Sequence, residues 1–248
     1  MDRFFLPRTE WQEDRLALAG EEGHHAVRVM RKKIGDLVEV FDGEGSWARG
    51  QITSLEKSSF ELEISERGIS SPLRPLVRLA VAVPKGKTFD LVIQKAVELG
   101  ASEILPILTT NTVVQIGGKE AGAKQAKWQR LALEACKQCG QNVLPQVYAP
   151  ATLNDFLKTN EEGLRVIASL APGARLLREV LKDAEERPSQ VTLLVGPEGD
   201  FTIGETEAAL ASGFHPVTLG DIVLRVDTAC FFLLSALRYQ YSLSLIHI

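Results

Sequence analysis

The stretch Val191–Ala229 constrains the fold most. It opens with Val191–Val195, a short apolar run rich in β-branched residues, which ends abruptly in Gly196-Pro197-Glu198-Gly199. Such a run suits a strand buried on both faces, as in a parallel sheet. Thr202 and Glu205 have the T-x-x-E spacing of a capping box, which predicts a helix from near Ile203, with Gly213 as its left-handed end. A second strand, Pro216–Leu219, stops at Gly220. After Asp221–Arg225, Asp227 or Thr228 can cap a last helix running to about Ser242. Two strand ends, each followed by a glycine-bearing loop, therefore lie close together in sequence. In open α/β sheets, loops at strand carboxyl ends are where ligands bind.

The chain upstream of this stretch divides at Ile69–Pro75, a linker with two prolines and two serines. Before it, short β-like runs alternate with turns. Leu37–Phe41 and Trp47–Ile52 flank the turn Asp42–Gly45 as a hairpin, and Phe60–Ile64 has period-two alternation. One helix is expected over Glu22–Lys32, giving a small β-barrel with one helix. After the linker, strand and helix signals alternate. Val77–Val83, Ile104–Leu108 and Leu164–Ala168 read as strands. Thr88 can cap a helix ended by Gly100, Gly117–Gly122 reads as a loop, and Ala126–Cys139 reads as a helix ended by Gly140. Thr152 and Asp155 open a short helix, and Leu176–Lys182 is another. The alternation predicts a mostly parallel sheet with helices on both faces.

Composition excludes several classes. No apolar run is long enough for a membrane span, and the N-terminal residues lack the apolar core of a signal peptide. With three cysteines there is no disulfide framework, so a cytoplasmic location is expected. Net charge is −4, yet residues 73–141 carry 10 Lys and Arg against 5 Asp and Glu. That basic middle suits a polyanion-facing surface or equally a chance cluster of solvated lysines. Cys136 and Cys139 form C-K-Q-C without a second pair or a nearby histidine. His24-His25 points in two directions on a helix. No metal site is expected. Gly196–Gly199 is neither a dinucleotide fingerprint nor a P-loop, and serves as a ligand loop or a strand-to-helix turn alike. The residues at 243–248, Leu-Ser-Leu-Ile-His-Ile, are what a transposon sequencing adaptor encodes, and are expected to be a non-native tail.

Taken in order, the motifs resemble one family. R-F-F-x-P (Arg3–Pro7), H-H-A-V-R-V-M-R-x-x-x-G-D (His24–Asp36) and V-F-D-G-x-G (Val40–Gly45) carry the first part. K-G-K-x-x-D-L-V-I-Q-K-A-V-E-L-G (Lys85–Gly100), I-L-P-I (Ile104–Ile107) and E-A-C-K-Q-C-G (Glu134–Gly140) carry the middle. G-P-E-G (Gly196–Gly199) and L-G-D-I-V-L-R-V-D-T-A (Leu219–Ala229) complete it. The set resembles the RsmE-type ribosomal RNA methyltransferases and is collinear over nearly the whole chain.

The resemblance implies a PUA-like RNA-binding β-barrel domain over 1–72 and an α/β SPOUT methyltransferase domain over 73–242, with a parallel sheet and a C-terminal trefoil knot. It implies methyl transfer from S-adenosyl-L-methionine to N3 of one uridine in 16S rRNA, the free RNA or the small ribosomal subunit being the partner. A homodimer through the knot region is also implied. The implied cofactor pocket comprises Leu170, Gly196, Pro197, Glu198, Gly199, Leu219, Gly220, Ile222, Leu224, Thr228 and Ala229. Glu198 as proton acceptor and Arg225 as charge stabiliser are the candidate catalytic residues; loop hydrogen bonding and a structural ion pair are their plainer roles. Arg3, Arg8, Arg28, Arg31, Lys85 and Lys87 are the candidate RNA contacts. Three positions depart from the family pattern. Asp200 stands for a usual glycine, Val226-Asp227 for Thr-Glu, and Gln141 for an arginine. These departures keep two rivals open: an RNA-binding homologue that has lost catalysis, and a SPOUT enzyme acting on another RNA position.

Overall fold

The structure is a computed structural model describing residues 1–114, 116–159, 162–171, 173–184 and 187–241. Residues 243–248, expected to be non-native, lie outside the described residues. The chain forms two compact units. Met1–Pro72 joins with Leu133–Leu144 in the first, and Leu73–Ala132 joins with the chain from Pro145 onward in the second.

The first unit is built on a five-stranded sheet of β1 (Asp2–Phe5), β2 (Arg15–Leu18), β3 (Leu37–Phe41), β4 (Ser46–Leu55) and β5 (Phe60–Ile69), in the order β1-β3-β4-β5-β2. The β3–β4 hairpin is turned by Asp42, whose Oδ1 accepts from the backbone N–H groups of Glu44 (2.8 Å) and Ser46 (3.0 Å). Alternate residues fill the core: Phe4, Leu16, Leu18, Val38, Val40, Ile52, Phe60 and Leu62, closed by Ala26. The expected helix over Glu22–Lys32 is shorter. Helix α1 (Gly20–His24) loosens over His25–Val29, where the Met30 N–H reaches back five residues to the His25 carbonyl (2.9 Å). Arg31 then turns left-handed at φ 54°.

In the second unit every strand pairing is parallel. The strands are β6 (Leu76–Ala82), β7 (Glu103–Leu108), β8 (Gln146–Val147), β9 (Ala151–Thr152), β10 (Leu164–Ala168), β11 (Arg175–Leu176), β12 (Gln190–Val195) and β13 (His215–Thr218). The order is β11-β13-β10-β12-β6-β7-β8, with β9 also on β7. Helices α2 (Thr88–Glu98) and α7 (Val226–Tyr241) pack together, with α7 against β6 and β12. Opposite them, Ala80, Ile107, Ile167 and Leu194 form a core with residues of α4 (Leu153–Leu157) and α6 (Ile203–Ala211). Successive strand residues alternate between these two layers, so both faces of the central strands are buried. Helix α5 (Leu177–Asp183) packs on β13. Among the described residues, no helix is long and apolar enough to cross a membrane.

Three local expectations are corrected. Helix α3 (Gly118–Cys139) begins inside the stretch read as a loop. Its middle is anchored: Trp128 stands edge-on to Phe89 at 4.5 Å, and Gln129 clasps the Pro145 carbonyl and Val147 N–H. Extending an anchored helix backward is far cheaper than nucleating one, so glycine propensity at Gly118 and Gly122 is outweighed. The N-cap of α2 is Lys87 rather than Thr88, with no side-chain cap. Helix α7 starts at Val226, so Asp227 and Thr228 lie in its first turn, where the Asp227 carboxylate accepts from the Thr228 N–H (2.9 Å).

Candidate functional site

Three strand ends of the second unit converge on one cavity of about 280 Å³. Its walls are Ala168, Ser169 and Leu170 at the end of β10, Val195–Glu198 and Asp200 at the end of β12, and Leu219–Arg225 (Asp221 excepted) after β13. Val226 and Ala229 of α7 close it. The β12 strand is apolar because both faces are covered, and it must stop where the turn begins. The Asp200 N–H donates to the Pro197 carbonyl (3.0 Å), closing the turn over Glu198 and Gly199. Gly196 has to be small: a Cβ there would sit 2.9 Å from the Phe201 ring.

The turn is held from outside. Asn111, in the loop after β7, donates through Nδ2 to the carbonyls of Gly199 (3.1 Å) and Asp200 (2.9 Å). Beside it, Glu205 does two jobs. Its Oε2 completes the capping box with the Thr202 N–H (2.9 Å), and its Oε1 accepts from the N–H (2.7 Å) and hydroxyl (3.0 Å) of Thr110. Burial alone would raise the Glu205 carboxyl, but these donors outweigh it and hold it below the usual carboxylate range. Asp200 takes a left-handed φ of 60°, a conformation asparagine and aspartate tolerate better than most side chains, and its Oδ1 accepts from the Phe201 N–H (2.8 Å). That accounts locally for how an aspartate is accommodated at this turn.

The cavity brings together Leu170, Gly196, Pro197, Glu198, Leu219, Gly220, Ile222, Leu224 and Ala229, along with Arg225. Gly199 and Thr228 do not line it. Gly199 faces Asn111, and Thr228 lies on the outer side of α7 with Phe231 and Phe232. Glu198 is anchored at the second unit's β6 loop, its Oε1 accepting from the Lys85 N–H at 3.3 Å. The Arg225 guanidinium is exposed and makes no hydrogen bond or ion pair among the described residues. Ile222 and Val223 are 77% and 72% exposed at the rim, an apolar edge that a bound partner would cover. Ala168, Ser169, Val195 and Val223 also line the cavity and were not singled out from the sequence. Val223 lies within the Leu219–Ala229 motif; no motif marks the other three, which strand pairing brings there. Asn111 was missed for the same reason.

The basic residues separate into two kinds. Arg8, Arg28 and Arg31 of the first unit are exposed, with Arg8 resting 4.9 Å over the Trp11 ring; Lys85 and Lys87 of the second unit are exposed as well. Arg3 is different. Its side chain is 8% exposed, pairs with Glu39 (2.7 Å), donates to the carbonyls of Cys136 (2.5 Å) and Gln141 (3.2 Å) and to Asn142 Oδ1, and lies over Phe41. The expectation that Arg3 contacts RNA is therefore withdrawn. Its donors are spent holding 136–142 in the first unit. Gln141, by its main chain, is part of that clamp. Cys136 is buried, which pushes its thiol up to about 12, and Cys139 is exposed. Among the described residues, no group of histidine, cysteine and carboxylate side chains is placed to hold a metal.

Residues 71–238 match the RNA methyltransferase domain family, and residues 18–65 match the RNA methyltransferase PUA domain family. The chain is 35% identical over 221 residues to the ribosomal RNA small subunit methyltransferase E of Synechocystis, covering 88% of this chain and 70% of that one. A Legionella pneumophila protein solved in complex with its bound cofactor SAM superimposes with a TM-score of 0.86 at 31% identity, over 96% of both chains. The ribosomal RNA small subunit methyltransferase E of Neisseria gonorrhoeae, bound to S-adenosyl methionine, does so with 0.85 at 28% identity, over 96% of this chain and 97% of that one.

Proposed function

The chain belongs to the RsmE-type RNA methyltransferase family, and on that premise we propose that it methylates N3 of one uridine in small-subunit (16S) ribosomal RNA, with S-adenosyl-L-methionine as donor. The observation that carries this reading is the convergence of three strand ends on one cavity containing both Glu198 and Arg225. The lining fits the donor. Leu170, Leu219, Ile222 and Leu224 offer apolar walls for an adenine ring, and the turns at Gly196 and Gly220 offer backbone groups for its polar edge.

The donor, when bound, supplies a methyl group already made electrophilic by its sulfonium. The protein's work is on the acceptor. Uracil N3 holds its proton at neutral pH and must lose it, leaving negative charge over N3 and the flanking carbonyls. Glu198 takes the proton, its carboxylate oriented by the Lys85 N–H. Arg225, with its guanidinium uncommitted, stabilises the charge. Fixed placement of the base against the donor lowers the barrier further, which the hydrogen bonds of Asn111 and Glu205 serve.

RNA is held by the exposed cations Arg8, Arg28, Arg31, Lys85 and Lys87, which position phosphates while the target base leaves its stack. The knot is part of the proposal. Strand β13 lies between β10 and β11, Val217 pairing with both Ala168 and Arg175, and this insertion between two strands that follow each other in sequence supports that reading. A homodimer forms over the outer face of α7, where Phe232 is 46% and Tyr239 90% exposed. Acting on ribosomal RNA, the protein works in the cytoplasm. The test is cofactor titration followed by methyl transfer with Glu198→Gln and Arg225→Ala. Both variants are expected to bind the donor and lose turnover by roughly 100-fold or more. Near-normal turnover in both would reject the assignment.

A further inference from the structure

Asp200 is the one acidic residue of the cavity wall whose carboxylate is not tied to another loop. Glu198 is engaged with the Lys85 N–H of the β6–α2 connection, whereas among the described residues the Asp200 carboxylate bonds only the N–H of its own neighbour, Phe201, through Oδ1. Its backbone is fixed. The left-handed φ of 60°, the Asp200 N–H to Pro197 carbonyl bond and the Asn111 Nδ2 bond to its own carbonyl hold the residue at the cavity wall. Among the described residues the charged groups of the cavity lining are Glu198, Asp200 and Arg225, so two carboxylates stand against one guanidinium.

We propose that Asp200 is a specificity-determining residue that favours the cationic methyl donor over its demethylated product, and that Asn111 is the positioning residue that keeps it there. This rests on the reading of the cavity as the S-adenosylmethionine site. The donor carries a sulfonium; the product, S-adenosylhomocysteine, has a neutral sulfide in its place and is otherwise nearly the same shape. Walls made of aliphatic side chains and backbone groups cannot separate two such ligands, because they contact the shared parts of both. A carboxylate fixed at the cavity wall separates them by charge. It also promotes release of the product after each turnover, since the attraction disappears with the transferred methyl group.

The test is calorimetric titration of the full chain, without RNA, with S-adenosylmethionine and with S-adenosylhomocysteine at low and high salt. The variants are Asp200→Asn and Asp200→Gly, both compatible with a left-handed backbone. Each is expected to weaken donor binding about three- to five-fold, in keeping with a single partly solvated charge contact. Product binding should stay within about two-fold, and high salt should narrow the wild-type preference but not that of the variants. Asn111→Ala should reduce the preference in the same direction with Asp200 still present. Equal losses for both ligands, or an unchanged ratio, would overturn the proposal while leaving the cavity assignment standing. A wild-type chain that bound neither ligand would overturn the cavity assignment itself.

Discussion

Replacing Arg3 with alanine removes one of the two guanidinium partners of the buried Glu39, the other being Arg49 at 2.8 Å, and takes a donor from the carbonyls of Cys136 and Gln141. A cost of about 3 kcal/mol is expected in urea unfolding, because a buried carboxylate loses a partner. Replacing Arg28 or Arg31 should instead leave stability within about 0.5 kcal/mol and weaken RNA binding with a shallower salt dependence. Arg3, Arg8, Arg28 and Arg31 look alike in sequence. Contacts 36 to 139 residues away distinguish Arg3, so its role was not legible there. The cysteines give a second check. Cys139 is exposed, while Cys136 is buried with its thiol pushed up to about 12 and Cys230 is buried and also pushed up. A disulfide reagent should label Cys139 alone in the native chain and all three thiols after unfolding.

At the scale of elements, the box at the start of α6 was readable because its partners are three residues apart. That Glu205 also binds Thr110 was not, since the loops meet only through the sheet order. The folded carboxyl is held below its ordinary value, so its contribution is present above the unfolded value of about 4.5 and is lost as pH falls through the depressed one. Wild type should therefore exceed Glu205→Gln in stability by about 1 kcal/mol at neutral pH. That gap should close on acidification below about 4.5 in pH-dependent thermal unfolding. A gap that widened in acid would contradict the Thr110–Glu205–Thr202 linkage. Strand positions were largely legible from apolar runs, since two-sided burial leaves little choice of residue in β6 and β12. Helix starts were less so: Gly118 and Val226 begin helices, and Lys87 caps one, because neighbouring packing or chain entry sets the boundary, against local preference.

For the whole molecule, a break at the Ile69–Pro75 linker was expected, yet Leu133–Leu144 joins the first unit from the middle of the chain. Nothing in its local composition marks that, because the Arg3 and Lys137–Glu22 pairs that tie it there are long-range. The cavity itself was legible as two glycine-bearing loops. Of its third wall the family resemblance implied only Leu170; Ala168 and Ser169 join it because β13 lies beside β10. On the outer face of α7, Phe232→Asp should shift the chain from dimer to monomer in sedimentation; a dimer that persisted would place the interface elsewhere. The most direct test of the central claim is mass mapping of nucleosides after small-subunit ribosomal RNA, free and assembled, is incubated with the chain and S-adenosyl-L-methionine. The account predicts 3-methyluridine at a single position, absent with Glu198→Gln. No methylation of either substrate, or a methyl group on another base atom, would contradict it.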